Sequence, residues 1–335
     1  MKKVLILVMA ILLFMLPVFA AGTSEAKPAQ KEIKLRFGTT SGESTVVVKT
    51  MRDFSEIVSK KTDGNITVEV FPASQLGSVD EMAQNAQMGA IDMCMTQPAR
   101  LAAMGVKEMS VLVLPYIFSG YEQRWNVIFG GIGQELLDKV TSNGNKLVGF
   151  GYFPDGARNF FTVKNKPIRK LADVKGMKLR VQATEMDNDM CIALGASPTP
   201  TASSEMYSSI QSGIVDGAEQ PIANFYASKF YEVSSFLTLD EHTYNTLVVL
   251  FSEITWNKLD AEQRNILTAS WNEAVAENKK VILDTEASYL SKMKDVGVEV
   301  ITLTDHDAWV KAMEPVYAKH GKGFEDLIAR IRAVK

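Results

Sequence analysis

The strongest constraint on the fold is an order of elements that occurs twice. From Ile33 the chain reads as a strand (IKLRFGTT), followed by a helix from Ser44 to Lys61 whose apolar residues Val47, Met51, Phe54 and Val58 recur at helical spacing. A strand with Ile66, Val68 and Val70 in alternation, a helix over Val79–Met88 and a strand over Ile91–Thr96 complete the set. After residue 150 the order returns: strand Lys178–Val181, helix Thr184–Leu194, strand Ser197–Thr199, helix Ser204–Gln211 and strand Ile214–Ala218. Strands that alternate with helices pair in parallel and are buried by those helices, so two matching α/β halves are expected.

The third strands of the two halves share lettering. Gln87, Gly89, Ile91, Asp92, Gln97 and Pro98 in the first answer to Gln211, Gly213, Val215, Asp216, Gln220 and Pro221 in the second, out of step by one residue before the glutamine. A repeat of this kind would put Gln97 and Gln220 at equivalent carboxyl ends of strands, where open α/β sheets place ligands. Beyond an apolar strand at Leu247–Ser252, Asp260 and Gln263 have the spacing of a helix cap and its partner, and the helical pattern runs on towards Met293. A helix of that length can bridge two lobes. Gly297 marks a turn, Val298–Leu303 reads as a strand, and Trp309–Arg332 as terminal helices.

At the other end of the chain, Lys2 and Lys3 precede an unbroken apolar run from Val4 to Ala20, with Val18, Phe19 and Ala20 spaced as a signal-peptidase site. Residues 1–20 are therefore expected to be a cleaved signal peptide and 21–31 a flexible leader, giving an exported product with no stable membrane insertion. The chain has 36 basic and 39 acidic residues and no long charge run, which leaves no basic footprint for nucleic acid. Cys94 and Cys191 lie in apolar runs and read as two buried thiols, although one bridge is arithmetically possible. The histidines His242, His306 and His320 are scattered, so no metal or other cofactor is expected.

No nucleophile elbow, phosphate loop, H-E-x-x-H or dinucleotide glycine motif is present, and no enzyme is expected. The residues that stand out are cations. Arg180 lies inside the short apolar strand KLRV, where a guanidinium needs a partner or a cleft, or else marks an exposed edge strand. Arg158 sits beside glycine and aromatics (GARNFFT), as a pocket arginine or a carbonyl-capped loop residue; Arg100 follows Gln97 and Pro98, where a solvated helix arginine is the simpler reading.

Six separated motifs carry a resemblance: FPASQLG (71–77), LPYIFSGYEQ (114–123), DGARNFFT (155–162), LADVKGMKLRV (171–181), ALGASPTPTASSEMYSSIQSGIVDGAEQP (193–221) and KFYEVSSFL (229–237). In this order, over essentially the whole chain beyond the leader, they resemble the extracytoplasmic solute-binding subunits of tripartite ATP-independent periplasmic (TRAP) transporters, the DctP-like family. The resemblance implies an α/β, two-lobed periplasmic binding protein (type II-like), each lobe a mixed, mostly parallel sheet flanked by helices, with a long helix bridging the lobes. Lobe I is expected over 32–153 and 247–284, and lobe II over 154–246 and 285–335.

The same resemblance implies that Arg180 forms a bidentate pair with a substrate carboxylate, with Arg158 as a second cleft arginine and Gln220 in the position after DGAE where asparagine is frequent. By similarity to the sialic-acid-binding branch, Gln97, Arg100 and Asn245 also face the ligand. Ala183 and Ser203 stand where that branch has asparagine and phenylalanine, which turns the comparison away from sialic acid. GARNFFT and RVQ look closer to members that bind hexuronates and related sugar acids, so a monocarboxylate sugar acid leads, with C4-dicarboxylates and keto acids open. Glu43, in the first strand-to-helix loop, is a candidate acceptor for a sugar hydroxyl or simply a helix-entry acid. The partners implied are a small organic acid and the membrane permease subunits of a TRAP transporter; a sensor docking on a membrane receptor is the alternative. The protein is expected in the periplasm as a monomer.

Overall fold

The computed structural model describes residues 32–335; the expected signal peptide and leader lie outside the described residues. Nine strands form one sheet: β1 (Ile33–Gly38), β2 (Ile66–Phe71), β3 (Met93–Thr96), β4 (Leu147–Thr162), β5 (Lys178–Val181), β6 (Ser197–Pro200), β7 (Gly217–Pro221), β8 (Phe236–Ser252) and β9 (Glu299–Thr302). Their order is β2-β1-β3-β8-β4-β7-β5-β6, with β9 paired to β8. Pairing is parallel for β1 with β2 and β3, for β5 with β6 and β7, and for β8 with β9. It is antiparallel only for β3 with β8, β4 with β7 and β4 with β8.

That order reads the same from either edge, since β2-β1-β3-β8 mirrors β6-β5-β7-β4. The shared lettering is therefore geometrical. Asp92 accepts the Arg36 N–H of β1 at 2.8 Å, and Asp216 accepts the Lys178 N–H of β5 at 3.0 Å. Gly89 and Gly213 both adopt φ of +72°, a left-handed turn that glycine makes without strain.

Each half is layered by strand alternation. In β8, Leu247, Val249 and Phe251 face a core with Phe37, Phe54 and Trp271, while Val248 and Leu250 face one with Met82, Trp125 and Leu136. In β4, Phe160 packs with Leu179 and Trp309, and its neighbour Phe161 with Met206 and Phe225. Helices cover both faces. The helix Val46–Lys61 starts two residues later than the apolar pattern suggests because the Thr45 hydroxyl accepts the Val48 N–H and so acts as the cap. It buries Val47, Met51, Phe54 and Val58, as the spacing requires.

The halves are joined by β4 and β8, of 16 and 17 residues, and by the 32-residue helix Ala261–Lys292, which Asp260 and Gln263 open with the expected capping box. Two glycines of β4 let this helix approach. A Cβ on Gly151 would stand 2.6 Å from the Trp271 ring, and one on Gly156 would stand 2.4 Å from Glu286 Oε1. The last helix, Glu325–Ala333, returns to the first half, where Leu327, Ile328 and Ile331 join the cluster of Trp125 and Leu136. No helix among the described residues is long and apolar enough to cross a membrane.

Candidate ligand cleft

Between the halves lie two adjoining cavities that share Gln97 and Asn245. The first, of about 350 Å³, is walled by Thr39 and Ser41 beyond β1, by Asp155 of β4 and by Asn224. The second, of about 490 Å³, is walled by Arg100, Arg158, Gln182, Asp187 and Tyr244. Both volumes suit a small ligand, and Thr39, Gln97 and Gln182 follow directly on β1, β3 and β5, the carboxyl ends of the strands.

Behind the second cavity is a buried ionic network. Arg158 donates through Nε to the Glu219 carboxylate and through Nη2 to the Glu219 carbonyl at 3.2 Å. Arg180 donates from Nε and Nη2 to the Thr201 carbonyl at 3.1 and 2.6 Å, and its Nη1, 3.9 Å from Glu219 Oε1, is buried without a hydrogen-bond partner. His242 stands 3.5 Å from Glu219 through Nε2 and 2.7 Å from Asp240 through Nδ1, stacked on Phe160. Asp240 is held by the Tyr116 hydroxyl at 3.1 Å and the Phe160 N–H at 2.9 Å.

Burial alone would raise the Glu219 carboxyl, but Arg158 and His242 hold it down at about 2. Burial likewise works against a charged His242, yet Asp240 and Glu219 lift it to about 9. Arg180 is lowered, by burial and then by the neighbouring Arg158 cation, with Glu219 opposing both. Asp187, at the cavity wall, is raised by burial and by Glu219. Arg158, Arg180 and a His242 held towards its charged form thus stand against Glu219 and Asp240 in the contact network, with Asp187 close enough to act on all three cations. The buried Arg180 Nη1, left without a hydrogen-bond partner in this network, is a donor that an anion can satisfy.

A second polar group lies where β4 breaks register. Pro154 pairs with Thr246 and Ala157 with Tyr244, so Asp155 and Gly156 together oppose Asn245. Such a bulge re-aims side chains. Asn245 Nδ2 donates to Asp155 Oδ2 at 2.8 Å, and the Gly156 N–H to Oδ1 at 2.8 Å. From behind, the fully buried Arg124 donates to the carbonyls of Asp155 at 2.5 Å and Asn245 at 2.7 Å, tying the two strands together. The Tyr121 hydroxyl accepts the Ala157 N–H and donates to Glu286 of the long helix at 2.7 Å.

The structure brings Gln97, Arg100, Asn245 and Arg158 to the cavity walls. Arg100 is also paired with Asp80 at 2.5 Å and half exposed. Gln220 lines a neighbouring recess with Ser203 and Tyr207, which meets the first cavity at Asn224. Arg180 lies behind the wall, in the ionic network. Glu43 is exposed, paired with Arg52, and outside the walls of both cavities. The sequence reading missed Arg124, Asp155, Glu219 and His242. Of these, Asp155 and Glu219 lie inside the quoted motifs DGARNFFT and DGAEQP, next to residues that were singled out. Cys94 and Cys191 are buried free thiols, as expected, both pushed up to about 12, for Cys94 by burial and for Cys191 by burial and then Glu219.

Two α/β halves that gather polar groups and a buried positive charge between their strand ends define a solute-binding protein. The chain belongs to the bacterial extracellular solute-binding protein family 7, DctP, whose model matches residues 37–323. It is 31% identical over 294 residues to the C4-dicarboxylate-binding periplasmic protein DctP of Rhodobacter capsulatus, covering 87% of both chains. A TRAP periplasmic solute-binding protein of Pseudomonas putida F1 with bound D-glucuronate superposes with a TM-score of 0.81 at 30% identity, over 90% of this chain and 98% of that one. A TRAP periplasmic solute-binding protein of Xanthobacter autotrophicus Py2 with bound β-D-galacturonate gives 0.79 at 31% identity, over 90% and 100%. As a member of this family the chain is a binding protein, not an enzyme.

Proposed function

We propose that this protein captures a monocarboxylate sugar acid, with a hexuronate as the leading ligand, between its two halves and delivers it to the membrane permease subunits of a TRAP transporter. It acts as a periplasmic monomer, exported through a cleaved signal peptide at residues 1–20. The observation that carries the reading is the pair of buried guanidiniums Arg158 and Arg180, the second with its Nη1 unpartnered, behind a cleft lined by hydroxyl and amide groups. The ligand carboxylate engages Arg180 and Arg158 as the planar guanidinium fork favours, while Gln97, Asn245 and Gln220 take its hydroxyls.

Capture includes closure. Lobe I (32–153 and 247–284), on which the last helix Glu325–Ala333 also packs, turns on lobe II (154–246 and 285–324), and the register break at Pro154–Ala157, beside the boundaries at 153/154 and 246/247, supports a hinge there. The ligand shifts the open and closed populations by its better contacts in the closed one. Likeness to relatives bound to D-glucuronate and galacturonate supports the ligand class.

The test is a thermal-shift panel of sugar acids, C4-dicarboxylates, keto acids and sialic acid, since a ligand that binds only the native state raises the midpoint. A rise with a hexuronate, abolished in a folded Arg180→Ala variant, is the expected result. Silence from every carboxylate in a folded, ligand-free protein would overturn the reading.

A further inference from the structure

We infer that Asp155 is a specificity-determining residue that accepts a ligand hydroxyl and excludes ligands carrying a second carboxylate at the end away from the arginines. The inference rests on the sugar-acid reading above and narrows it. Its ground is the charge distribution along the cleft. The second cavity is bordered by Arg158 and Arg100 against a single acid, Asp187, with Arg180 close behind Arg158. The first has no lysine or arginine in its wall, and its one charged side chain is Asp155. The remaining polar groups there, among them Thr39, Ser41, Asn224 and Asn245, are neutral.

The Asp155 carboxylate is built into place. The bulge turns it into the cavity, Gly156 N–H and Asn245 Nδ2 each occupy one of its oxygens, and Arg124 grips the backbone of both Asp155 and Asn245 without reaching their side chains. A carboxylate has about four acceptor positions, so two donors leave room for hydroxyls on the cavity side. It has nothing to offer a second carboxylate except repulsion, which a partly buried site screens poorly. Arg124 donates to carbonyls behind the bulge and lines neither cavity, so it offers an incoming anion no hydrogen bond. The three-residue step from Asp155 to Arg158 spans at most about 11 Å of chain, so a ligand held by its carboxylate at Arg158 presents its far end near Asp155. A sugar acid presents hydroxyls there. A dicarboxylate presents charge.

The experiment is isothermal titration of the purified protein with D-galacturonate and with galactarate, in which the far end is oxidised to a second carboxylate. The wild type is expected to prefer galacturonate by about a hundredfold or more. Asp155→Asn, which keeps the shape and one of the two acceptor oxygens but removes the charge, is expected to narrow that preference at least tenfold, and Asp155→Glu to retain it. Asp155→Ser removes the charge with a smaller side chain and is read as Asp155→Asn is, with ligand-free melting midpoints showing which variants are folded. Equal affinity of the wild type for the two acids, or a preference unchanged in the folded neutral variants, overturns the inference while leaving the sugar-acid reading intact. A wild type that binds no sugar acid overturns that reading, and this inference with it.

Discussion

Glu219 accepts a hydrogen bond from Arg158 with one carboxylate oxygen and turns the other towards Arg180, whose Nη1 is 3.9 Å away. One buried acid of β7 therefore restrains two guanidiniums from the flanking strands β4 and β5 and, through His242, reaches Asp240 and Tyr116. A carboxylate so placed fixes both guanidiniums beside the cleft yet leaves Arg180 Nη1 without a hydrogen-bond partner.

Glu219→Gln keeps the shape and removes the charge, leaving Arg158, Arg180 and His242 with Asp240 alone in the contact network. Removing one partner of a buried ion pair costs about 3–5 kcal/mol. Urea unfolding at pH 7 is expected to show a loss of that order, with the slope unchanged; a loss below about 1 kcal/mol would mean that the network is solvated rather than buried.

His242 predicts a pH dependence. Its folded value is raised from 6.5 to about 9, so between those values the native state holds a proton that the unfolded chain has released. Stability from this group is complete below pH 6.5 and is lost as pH rises through 9. The stability difference between the wild type and His242→Asn is expected to shrink from pH 6 to pH 9.5. A constant difference across that range would place the charge elsewhere.

Much of this fold is legible in the sequence because local patterns decide it: the periodicity of Val47, Met51, Phe54 and Val58, the Asp260–Gln263 cap, and the doubled strand and helix order. The joining strand β4 is not legible. Gly149, Gly151, Pro154 and Gly156 look like turn residues, and only Trp271 and Glu286, more than a hundred positions later, show that the glycines admit a helix. The helix Tyr121–Ile128 likewise carries no clear periodicity, since Gln123 and Arg124 are buried on it for polar contacts with distant carbonyls. In the cleft, the arginines are visible because a cation in an apolar strand is conspicuous. Their partner Glu219 is not, because its meaning depends on strands that meet only in the sheet.

Cys94 and Cys191 sit in different core clusters, with both thiols pushed up to about 12, for Cys94 by burial and for Cys191 by burial and then Glu219. The thiolate is the reactive form, so neither is expected to react with a thiol reagent in the native protein, and both to react in denaturant. Fast labelling of either under native conditions would contradict the packing.

Glu286 offers the opposite sign to Glu219. Burial lifts its carboxyl from 4.5 to about 7, despite the Tyr121 hydroxyl that donates to it, so between those values the native state binds a proton that the unfolded chain does not. Its contribution is full below pH 4.5 and declines as pH rises through 7, where the fold must bury a bare carboxylate. Glu286→Gln retains an acceptor for Tyr121 and carries no charge. The variant is therefore expected to match the wild type near pH 5 and to exceed it in stability at pH 8 by up to about 3 kcal/mol, read by urea unfolding at the two pH values. A variant less stable than the wild type at pH 8 would show instead that the ionised carboxylate is favourably paired, with Arg124 the cation acting on it.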